Sequence, residues 1–336
     1  MKTLFLTAVT SLLLFASCES VELLNIDYMR PAEVSFPASL RRVGIVNNIA
    51  DVATEQQPGQ LPALQGDAVC QSLSQELADR NYFSEVIICD SALRAANESP
   101  RPLSNEEVRR LSHDLGVDML ISLEAAPIRA QHKLEFIADW QAWRGLTEAT
   151  VYPVVSLYLP GRNKPMVTLQ STDSIYWEGY GSTETEAKSQ LVADSVIWRE
   201  ASDFAGTLPV EKLLPSWQKA VRHYFISNSP RLRDAAVLVR DDRWHEAVNI
   251  WKQEYDTHRS KDTKKKYYAA HNLALGYEML DSLTTAQRWT GEAKRIAHIL
   301  MDKNEDNRAY LQADSIYETQ LKQRIDELTR LDAQMR

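Results

Sequence analysis

The feature that most constrains this fold is a change of hydrophobic period along the 336-residue chain. Residues 41–180 alternate short β-branched runs with segments of helical spacing, whereas residues 231–336 repeat their apolar side chains at helical spacing. This order predicts an α+β fold, with a small mixed α/β sheet domain followed by an all-helical domain. Residues 181–230 are predicted to form linking helices between the two.

Two successive strand–helix units begin the sheet domain. Strands are predicted at Val43–Val46, Tyr82–Cys89 and Val117–Leu123. Helices are predicted at residues 63–80 and after Ser104–Glu107, a capping box, with Gly116 as the C-terminal stop. Each helix is long enough to cross over, so the strands are expected to pair in parallel.

A β-rich region follows these units. The runs Thr150–Leu159 and Met166–Trp177 flank the turn residues Pro160–Asn163, which predicts two strands joined as an antiparallel hairpin. Residues 130–147 are compatible with an extension of the third strand, a helical insertion or a loop. Beyond the hairpin, Thr183–Glu186 is a second capping box, and helical spacing after Pro209 predicts another helix through Phe225.

The helical third contains two segments that align with each other at an offset of 39 residues, as the positions of their equivalent alanines show. The shared positions are a small residue (Ala235, Ala274), a large apolar residue (Trp244, Leu283) and an alanine (Ala247, Ala286). This pattern resembles the tetratricopeptide repeat (TPR), in which small side chains let paired helices approach closely. A plain bundle of helical hairpins is the alternative. The tail from Tyr310 is predicted to be an amphipathic helix that docks on the repeat or on a partner.

Aromatic and basic residues of the helical third have ordinary structural explanations. The aromatic residues are Trp244, Trp251, Tyr267, Tyr268 and Trp289. At helical spacing such residues are expected in the core rather than in a ligand groove. Lys264–Lys266 is predicted to be the solvated start of a helix, and His245, Glu246 and His271 to be surface polar residues.

The N-terminus predicts the cellular compartment. Lys2 and the apolar run Leu4–Phe15 have the layout of a secretory signal peptide, predicted at residues 1–17. Phe15–Cys18 resembles the lipobox of bacterial lipoproteins, whose cysteine is acylated and becomes the first mature residue. We therefore expect lipidation (palmitate) at Cys18, anchorage in the cell outer membrane, and a tether at residues 18–40. The alternative is an ordinary signal peptide with a nearby cysteine.

Charge and cysteine content restrict the partners. The formal net charge of −8 disfavours nonspecific nucleic-acid binding, which needs clustered Lys and Arg. After Cys18 no apolar run has the length of a membrane span, so the membrane partner is expected to be met through the lipid. Cys70 and Cys89 lie in apolar contexts and favour buried thiols, although an oxidising envelope would permit a disulfide.

Catalytic signatures are scarce in the sequence. It contains no GxSxG elbow, Walker loop, HExxH motif or complete GxGxxG motif. Gly179–Ser182 precedes a helix but lacks the third glycine of a phosphate-binding loop, and Glu106–Glu107 is explained by helix capping. We therefore predict no catalytic, cofactor-binding or metal-binding residues and no enzymatic activity. A small-molecule ligand stays unknown.

Several segments resemble known envelope proteins. The strand–helix order and Asp114–Asp118 resemble the small α/β domain of CsgG-like and TolB-N-terminal proteins. The whole chain is similar to DUF6340, a family of uncharacterised Bacteroidetes lipoproteins. The matching segments are Arg30–Glu33, Leu40–Asn47, Val221–Phe225, Trp244–Trp251 and Asn272–Glu278. The resemblance implies an envelope location and this order of domains, and it offers no catalytic residues to transfer.

Three hypotheses of function follow. The first is a lipid-anchored, non-catalytic binding or scaffold protein whose TPR-like helices present a groove to a protein partner. The second is an accessory subunit of an outer-membrane transport or secretion complex. The third is a hydrolase whose site is assembled from distant residues.

Overall fold

The computed structural model describes residues 20–49, 63–89, 92–94, 98, 101–227, 229–258 and 263–335. The described chain forms two compact units. The first, named the α/β unit, comprises Pro31–Ser216 with residues 333–335. The second, named the helical unit, comprises residues 20–30 with Trp217–Asp332. The fold is therefore of the α+β class, as predicted.

Strands and helices alternate in the first part of the described chain, and helices follow. The strands are β1 Val21–Arg30, β2 Arg42–Asn47, β3 Glu85–Ile88, β4 Met119–Ala125, β5 Ile128–Ile137, β6 Ala142–Val151, β7 Val154–Tyr158, β8 Val167–Gln170, β9 Asp173–Gly181 and β10 Ser216–Phe225. The α-helices are α1 Gly66–Asp79, α2 Asn105–Leu115, α3 Glu184–Ser189, α4 Asp194–Leu213, α5 Pro230–Arg240, α6 Trp244–Thr257, α7 Lys264–Met279, α8 Leu283–Lys303 and α9 Arg308–Gln334.

A five-stranded sheet of order β3-β2-β4-β7-β8 forms the centre of the α/β unit. β2 pairs in parallel with both β3 and β4, which confirms the prediction from the two strand–helix units. β4 pairs antiparallel with β7, and β7 with β8 in the predicted hairpin. The ends of α2 are also as predicted: the Ser104 hydroxyl accepts a bond from the Glu107 amide at 3.2 Å, and Gly116 has φ +63°.

A second sheet, of order β5-β6-β9, uses the residues that the sequence left undecided. Residues 130–147 form most of a long hairpin, in which β5 and β6 pair antiparallel over ten residues. The run Met166–Trp177, predicted as one strand, divides between β8 in the first sheet and β9 in the second. β9 belongs to the second sheet, where it pairs antiparallel with β6 from Asp173 to Gly181.

The predicted helix through Phe225 is wrong. α4 continues past Pro209 and ends at Leu213, because Pro215 disfavours helical geometry at Leu214, which is extended with φ −123° and ψ 150°. The chain then forms β10, which pairs with β1 in a two-stranded sheet. Part of the predicted tether is therefore a strand of the helical unit.

Consecutive helices from α5 to α8 pack on one another around small residues. Ala235, Ala247, Ala274 and Ala286, the four aligned alanines, are fully buried. The amphipathic tail helix α9 docks on these helices, where Tyr317 and Leu321 join the same apolar cluster as Ala274 and Ala286. Among the described helices, none is long and apolar enough to span a membrane.

Candidate binding cleft in the helical unit

A polar cleft with a volume of about 400 Å³ opens between β1, β10 and α9. Its lining residues are Tyr28, Arg30, Lys219, Ala220, Val221, Arg222, Gln320, Gln323, Arg324 and Glu327. The spacing of Gln320, Arg324 and Glu327 places them on one face of α9. The volume falls within the range of small-molecule and peptide-anchor sites, roughly 300–1,000 Å³.

The carboxylate of Glu278, on α7, anchors the cationic side of this cleft. The Arg222 guanidinium donates to it twice, through Nε at 2.9 Å and Nη2 at 3.0 Å. The Tyr317 hydroxyl donates at 2.5 Å, and Arg324 donates as well. Glu278 is 3 % exposed, so four donors surround a carboxylate that water scarcely reaches. The bidentate bonds from Arg222 and the single charge-assisted bond from Arg324 hold both arginines in fixed positions.

Aromatic rings fix the two guanidinium groups further. Arg222 lies over the ring of Tyr317 and Arg324 over the ring of Tyr28, each 4.7 Å from the ring centre. Burial, the largest single effect, works against the charged form of Arg222, but its bonds to Glu278 and the charge of Glu278, with smaller effects of Tyr317 and Tyr28, together raise the pKa of Arg222. Burial, together with the charge of Glu278, raises the pKa of Tyr317 well above its ordinary value.

The charge of the cleft is positive. Four cations line it, whereas Glu327 is the one carboxylate among the described lining residues and Glu278 pairs with Arg222 and Arg324 from outside the lining. Within the described chain, Glu327 lies 3.9 Å from Arg30, and Lys219 is exposed on β10 with no ion pair to an acid. The surplus of positive charge, with Gln320 and Gln323 as further hydrogen-bonding groups, suits an anionic ligand group.

A second buried polar cluster lies beside this cleft in the helical unit. His271 Nδ1 is 2.7 Å from an Asp314 carboxylate oxygen, and the His271 ring stacks on His223 with ring centres 4.5 Å apart. Burial and the neighbouring His271 lower the pKa of His223 to about 4. Asp314 is fully buried, so this cluster supports the fold rather than presenting groups to solvent.

The residues singled out from the sequence lie elsewhere or have structural roles. Cys18 and the signal peptide lie outside the described residues. Gly179 and Gly181 face the helices after β9: a side chain at Gly181 would approach the Ala187 backbone nitrogen to 2.5 Å. These glycines therefore let α3 pack closely on the sheet. Cys70 and Cys89 are not joined by a disulfide, and burial raises the pKa of Cys70 to about 12.

Predictions for the helical third fare unequally. Trp251, Tyr267 and Tyr268 are core residues, as expected. The prediction of His271 as a surface residue is wrong, because it is 3 % exposed and bonded to Asp314. Lys266 also differs: it is buried over the Tyr255 ring at 5.1 Å instead of being solvated. Within the ranges described by the structure, no cluster of His, Cys, Asp and Glu could hold a metal ion.

Sequence reasoning missed the central pair of the cleft. Arg222 and Glu278 are 56 residues apart, so no local motif joins them. The sequence nevertheless contains a signal for the buried acid. Glu278 follows His271 and Ala274 at helical spacing, so it lies on the same helix face as Ala274, a small residue predicted to pack inside. An acid at such a position implies a buried cationic partner.

The family of the chain follows from comparison with known proteins. Residues 40–225 match the Domain of unknown function (DUF8603), which is more than half of the chain, and the chain belongs to this family. Residues 233–323 match the Domain of unknown function (DUF6340), which confirms the resemblance seen in the sequence. No curated protein matches the chain.

Three solved structures show weak likeness to the chain. A minor lipoprotein from Acinetobacter baumannii is 10 % identical, with 52 % of this chain and 92 % of that chain covered and a TM-score of 0.25. The rare lipoprotein B from Shewanella oneidensis is 10 % identical, with 52 % of this chain and 93 % of that chain covered and a TM-score of 0.23. A hypothetical protein from Chlamydia trachomatis is 16 % identical, with 41 % of this chain and 73 % of that chain covered and a TM-score of 0.23. At these TM-scores the likenesses carry no argument about fold or function.

Proposed function

We propose that this protein is a cell-envelope lipoprotein, anchored in the outer membrane through Cys18, and that its helical unit is a non-catalytic binding module. The sequence of the first 18 residues supports the anchor. The packing of α5 to α8 around small residues supports the TPR-like architecture, in which stacked helices present a surface to a protein partner.

The proposed ligand of the cleft is an acidic group on an envelope protein, such as a chain-terminal carboxylate or an acidic side chain. The observation that carries this proposal is the saturation of Glu278 by Arg222, Arg324 and Tyr317. Because the carboxylate is fully bonded and the arginines are held in place, the cleft keeps a preorganised surplus of positive charge. Lys219 and Arg30 at its rim would pair with the incoming acid.

The same saturation argues for binding rather than acid–base catalysis. A general base needs a lone pair directed at the proton that it removes, and the oxygens of Glu278 already accept four bonds. To act as a base, Glu278 would have to give up these bonds, which would leave Arg222 and Arg324 without their counter-ion.

Reversal of charge at the rim of the cleft tests the proposed ligand. In Lys219→Glu the cleft loses a cation that makes no described ion pair, so the network around Glu278 stays intact. A panel of fluorescent acidic peptides, each with a free and an amidated C-terminus, would be titrated with the detergent-solubilised protein. We expect at least one peptide to bind, and Lys219→Glu to weaken its binding roughly tenfold, the effect of about 1.4 kcal/mol.

Arg288→Glu, an equal charge change at an exposed position of α8, is the matched control and should leave the affinity unchanged. Equal weakening by both substitutions, or no peptide bound by the unaltered protein, would contradict the proposed cleft.

Substitution of Cys18 tests the anchor. Cys18→Ser should abolish palmitate labelling and release the protein from membranes, because the lipid is the proposed attachment. Cys70→Ser retains the anchor and serves as the control. Purification of the intact lipoprotein with its envelope partners completes the test: a stable channel partner would favour the accessory-subunit hypothesis.

A further inference from the structure

The three-stranded sheet of the α/β unit ends in a long exposed strand, β5. In the order β5-β6-β9, all ten residues of β5 pair with β6 on one side. On the other side, among the described residues, only Pro127 just before the strand is paired, through a single bridge with Ala63. Residues 129–135 are exposed, apart from the half-buried Leu134. As far as the described ranges go, this edge therefore leaves backbone N–H and C=O groups to which another extended chain could pair.

The geometry of antiparallel pairing restricts how β5 could meet a second copy of itself. Backbone groups of successive residues point alternately to the two sides of a strand. When two copies are related by a two-fold axis, the outward-pointing backbone groups of one strand meet those of the other only in certain registers. In these registers one residue lies on the axis and faces the same residue of the second copy. The possible registers therefore differ by which residue lies on the axis.

Charges along β5, together with the length of strand that pairs, separate these registers. With Leu134 on the axis, Lys133 would face Glu135, but only residues 131–137 would pair, against residues 128–136 with His132 on the axis. With Gln131 on the axis, Arg129 would face Lys133, and with Lys133 on the axis, that lysine would face its own copy. With His132 on the axis, Arg129 faces Glu135, Gln131 faces Lys133, and on the opposite face Ala130 packs against Leu134. Unlike charges directly opposite each other stabilise a strand pair, and like charges destabilise it.

We propose that two copies of this protein associate through β5, antiparallel about a two-fold axis at His132, so that their three-stranded sheets join into one sheet of six strands. Two ion pairs between Arg129 and Glu135 would flank the axis. Glu135 also pairs with Arg144 within its own copy, and a carboxylate can accept bonds from two guanidinium groups. Arg144 in turn keeps Glu178 at 2.8 Å, so the new pair leaves no buried charge alone.

Disulfide cross-linking in intact membranes tests the contact and its register. Cα atoms of directly opposite residues are about 4.5–5.5 Å apart, within the range that a disulfide bridges, about 4.4–6.8 Å. In a Cys89→Ser background, His132→Cys should give a disulfide-linked homodimer on mild oxidation. Ala130→Cys is exposed on the same face of β5. In this register the two cysteines at position 130 are offset by four residues along the strands, so they are too far apart to bridge readily and should give roughly a tenth of the homodimer.

A charge exchange tests the chemistry of the contact without a cysteine. Arg129→Glu places two carboxylates opposite each other and should reduce homodimer in sedimentation of the detergent-solubilised protein. Adding Glu135→Arg should restore it. Arg162→Glu, exposed in the turn after β7, is the control and should leave dimerisation unchanged.

Several outcomes would overturn the proposal. A monomeric protein without a His132→Cys homodimer excludes the contact. Stronger cross-linking at position 131, 133 or 134 than at 132 excludes the register. A disulfide between position 132 and a different envelope protein, with no homodimer, assigns the edge to a foreign segment instead of a second copy.

Discussion

The two units of the molecule build their interiors differently. The central strands of the α/β unit bury Val43, Ile45, Met119 and Ile121, residues that need only volume and apolar surface to pack. The helical unit encloses charged and polar side chains between its helices and β10, each less than a tenth exposed. They are Arg222, His271, Asn272, Glu278 and Asp314.

The two kinds of interior are specified in different ways. Apolar side chains of similar volume replace one another at modest cost, so an apolar interior is specified mainly by volume and shape. Buried polar groups require particular partners. The Asn272 side chain, for example, both donates to and accepts from the Phe225 backbone at 2.8 Å, so α7 meets β10 at one register. We infer that the polar interior fixes the shape of the cleft.

Removal of Glu278 should therefore have the largest effect. In Glu278→Ala, Arg222 and Arg324 lose their common counter-ion inside the helical unit. Breaking a buried ion pair in this way costs about 3–5 kcal/mol. Hydrogen exchange should show faster opening of amides in α7 and β10 and little change in β2 and β4.

The exposed pair of Arg243 and Glu246 provides the control, because Glu246→Ala should leave exchange nearly unchanged. If Glu278→Ala also leaves the exchange of α7 unchanged, the polar interior does not specify this unit.

Tight helix packing in both units gives the second comparison. A side chain at Gly206, on α4, would meet backbone atoms of α1, with the Val69 oxygen at 2.6 Å and the Leu73 nitrogen at 2.7 Å. For a side chain at Gly276, on α7, the three nearest atoms of other elements all belong to side chains, the nearest being a methyl carbon of Val248 at 2.4 Å. Because side chains yield more easily than backbone, Gly206→Ala should cost about 3 kcal/mol and Gly276→Ala about 1 kcal/mol.

Urea unfolding of each variant measures this difference. A larger loss of stability for Gly276→Ala would mean that the side chains around Gly276 yield less than the backbone contact at Gly206.

Much of the α/β unit could be predicted because its signals are local. The capping box at Ser104–Glu107, Gly116 and the β-branched runs each act within a few residues, and their order gave the parallel pairing of β2 with β3 and β4. The long hairpin of residues 130–147 escaped prediction because much of it is exposed, so no apolar alternation marks its strands.

The cleft was less predictable because its contacts are distant in sequence. Arg222 lies in a segment interpreted as helical, since Trp217, Val221 and Phe225 recur every four residues, a spacing that also suits a strand partly open to solvent. Only Pro215, overlooked at the start of this segment, marks the change to a strand. The Arg222–Glu278 pair then depends on tertiary packing.

Acid should affect the α/β unit through Glu107. Its bonds to Arg101 and Arg94, against a smaller effect of burial, hold the pKa of this carboxyl well below its usual range. The stabilisation is therefore present above the unfolded-state pKa, about 4.3, and is lost as pH falls toward the folded-state pKa.

Glu107→Gln should cost about 1 kcal/mol at pH 7, after allowance for solvent screening, and the gap from the unaltered protein should narrow below pH of about 4. Urea midpoints of both proteins across this pH range measure the gap. Glu85→Gln, at the exposed pair with Arg42, is the control. A constant gap would show that Glu107 acts through its shape and not its charge.

The smallest expected effect is a gain in stability in the helical unit. Gly291 lies inside α8, and a side chain added there would meet no atom within 4 Å. Gly291→Ala should stabilise by about 0.5–1 kcal/mol, because alanine loses less backbone entropy in a helix. Comparing the thermal unfolding of Gly291→Ala with that of Gly276→Ala separates helix propensity from packing. Both substitutions gain helix propensity, but only the new methyl group at position 276 meets Val248. If both variants were stabilised, the side-chain packing around α7 would be loose enough to absorb a methyl group, and the specificity of the helical unit would rest on its buried polar pairs alone.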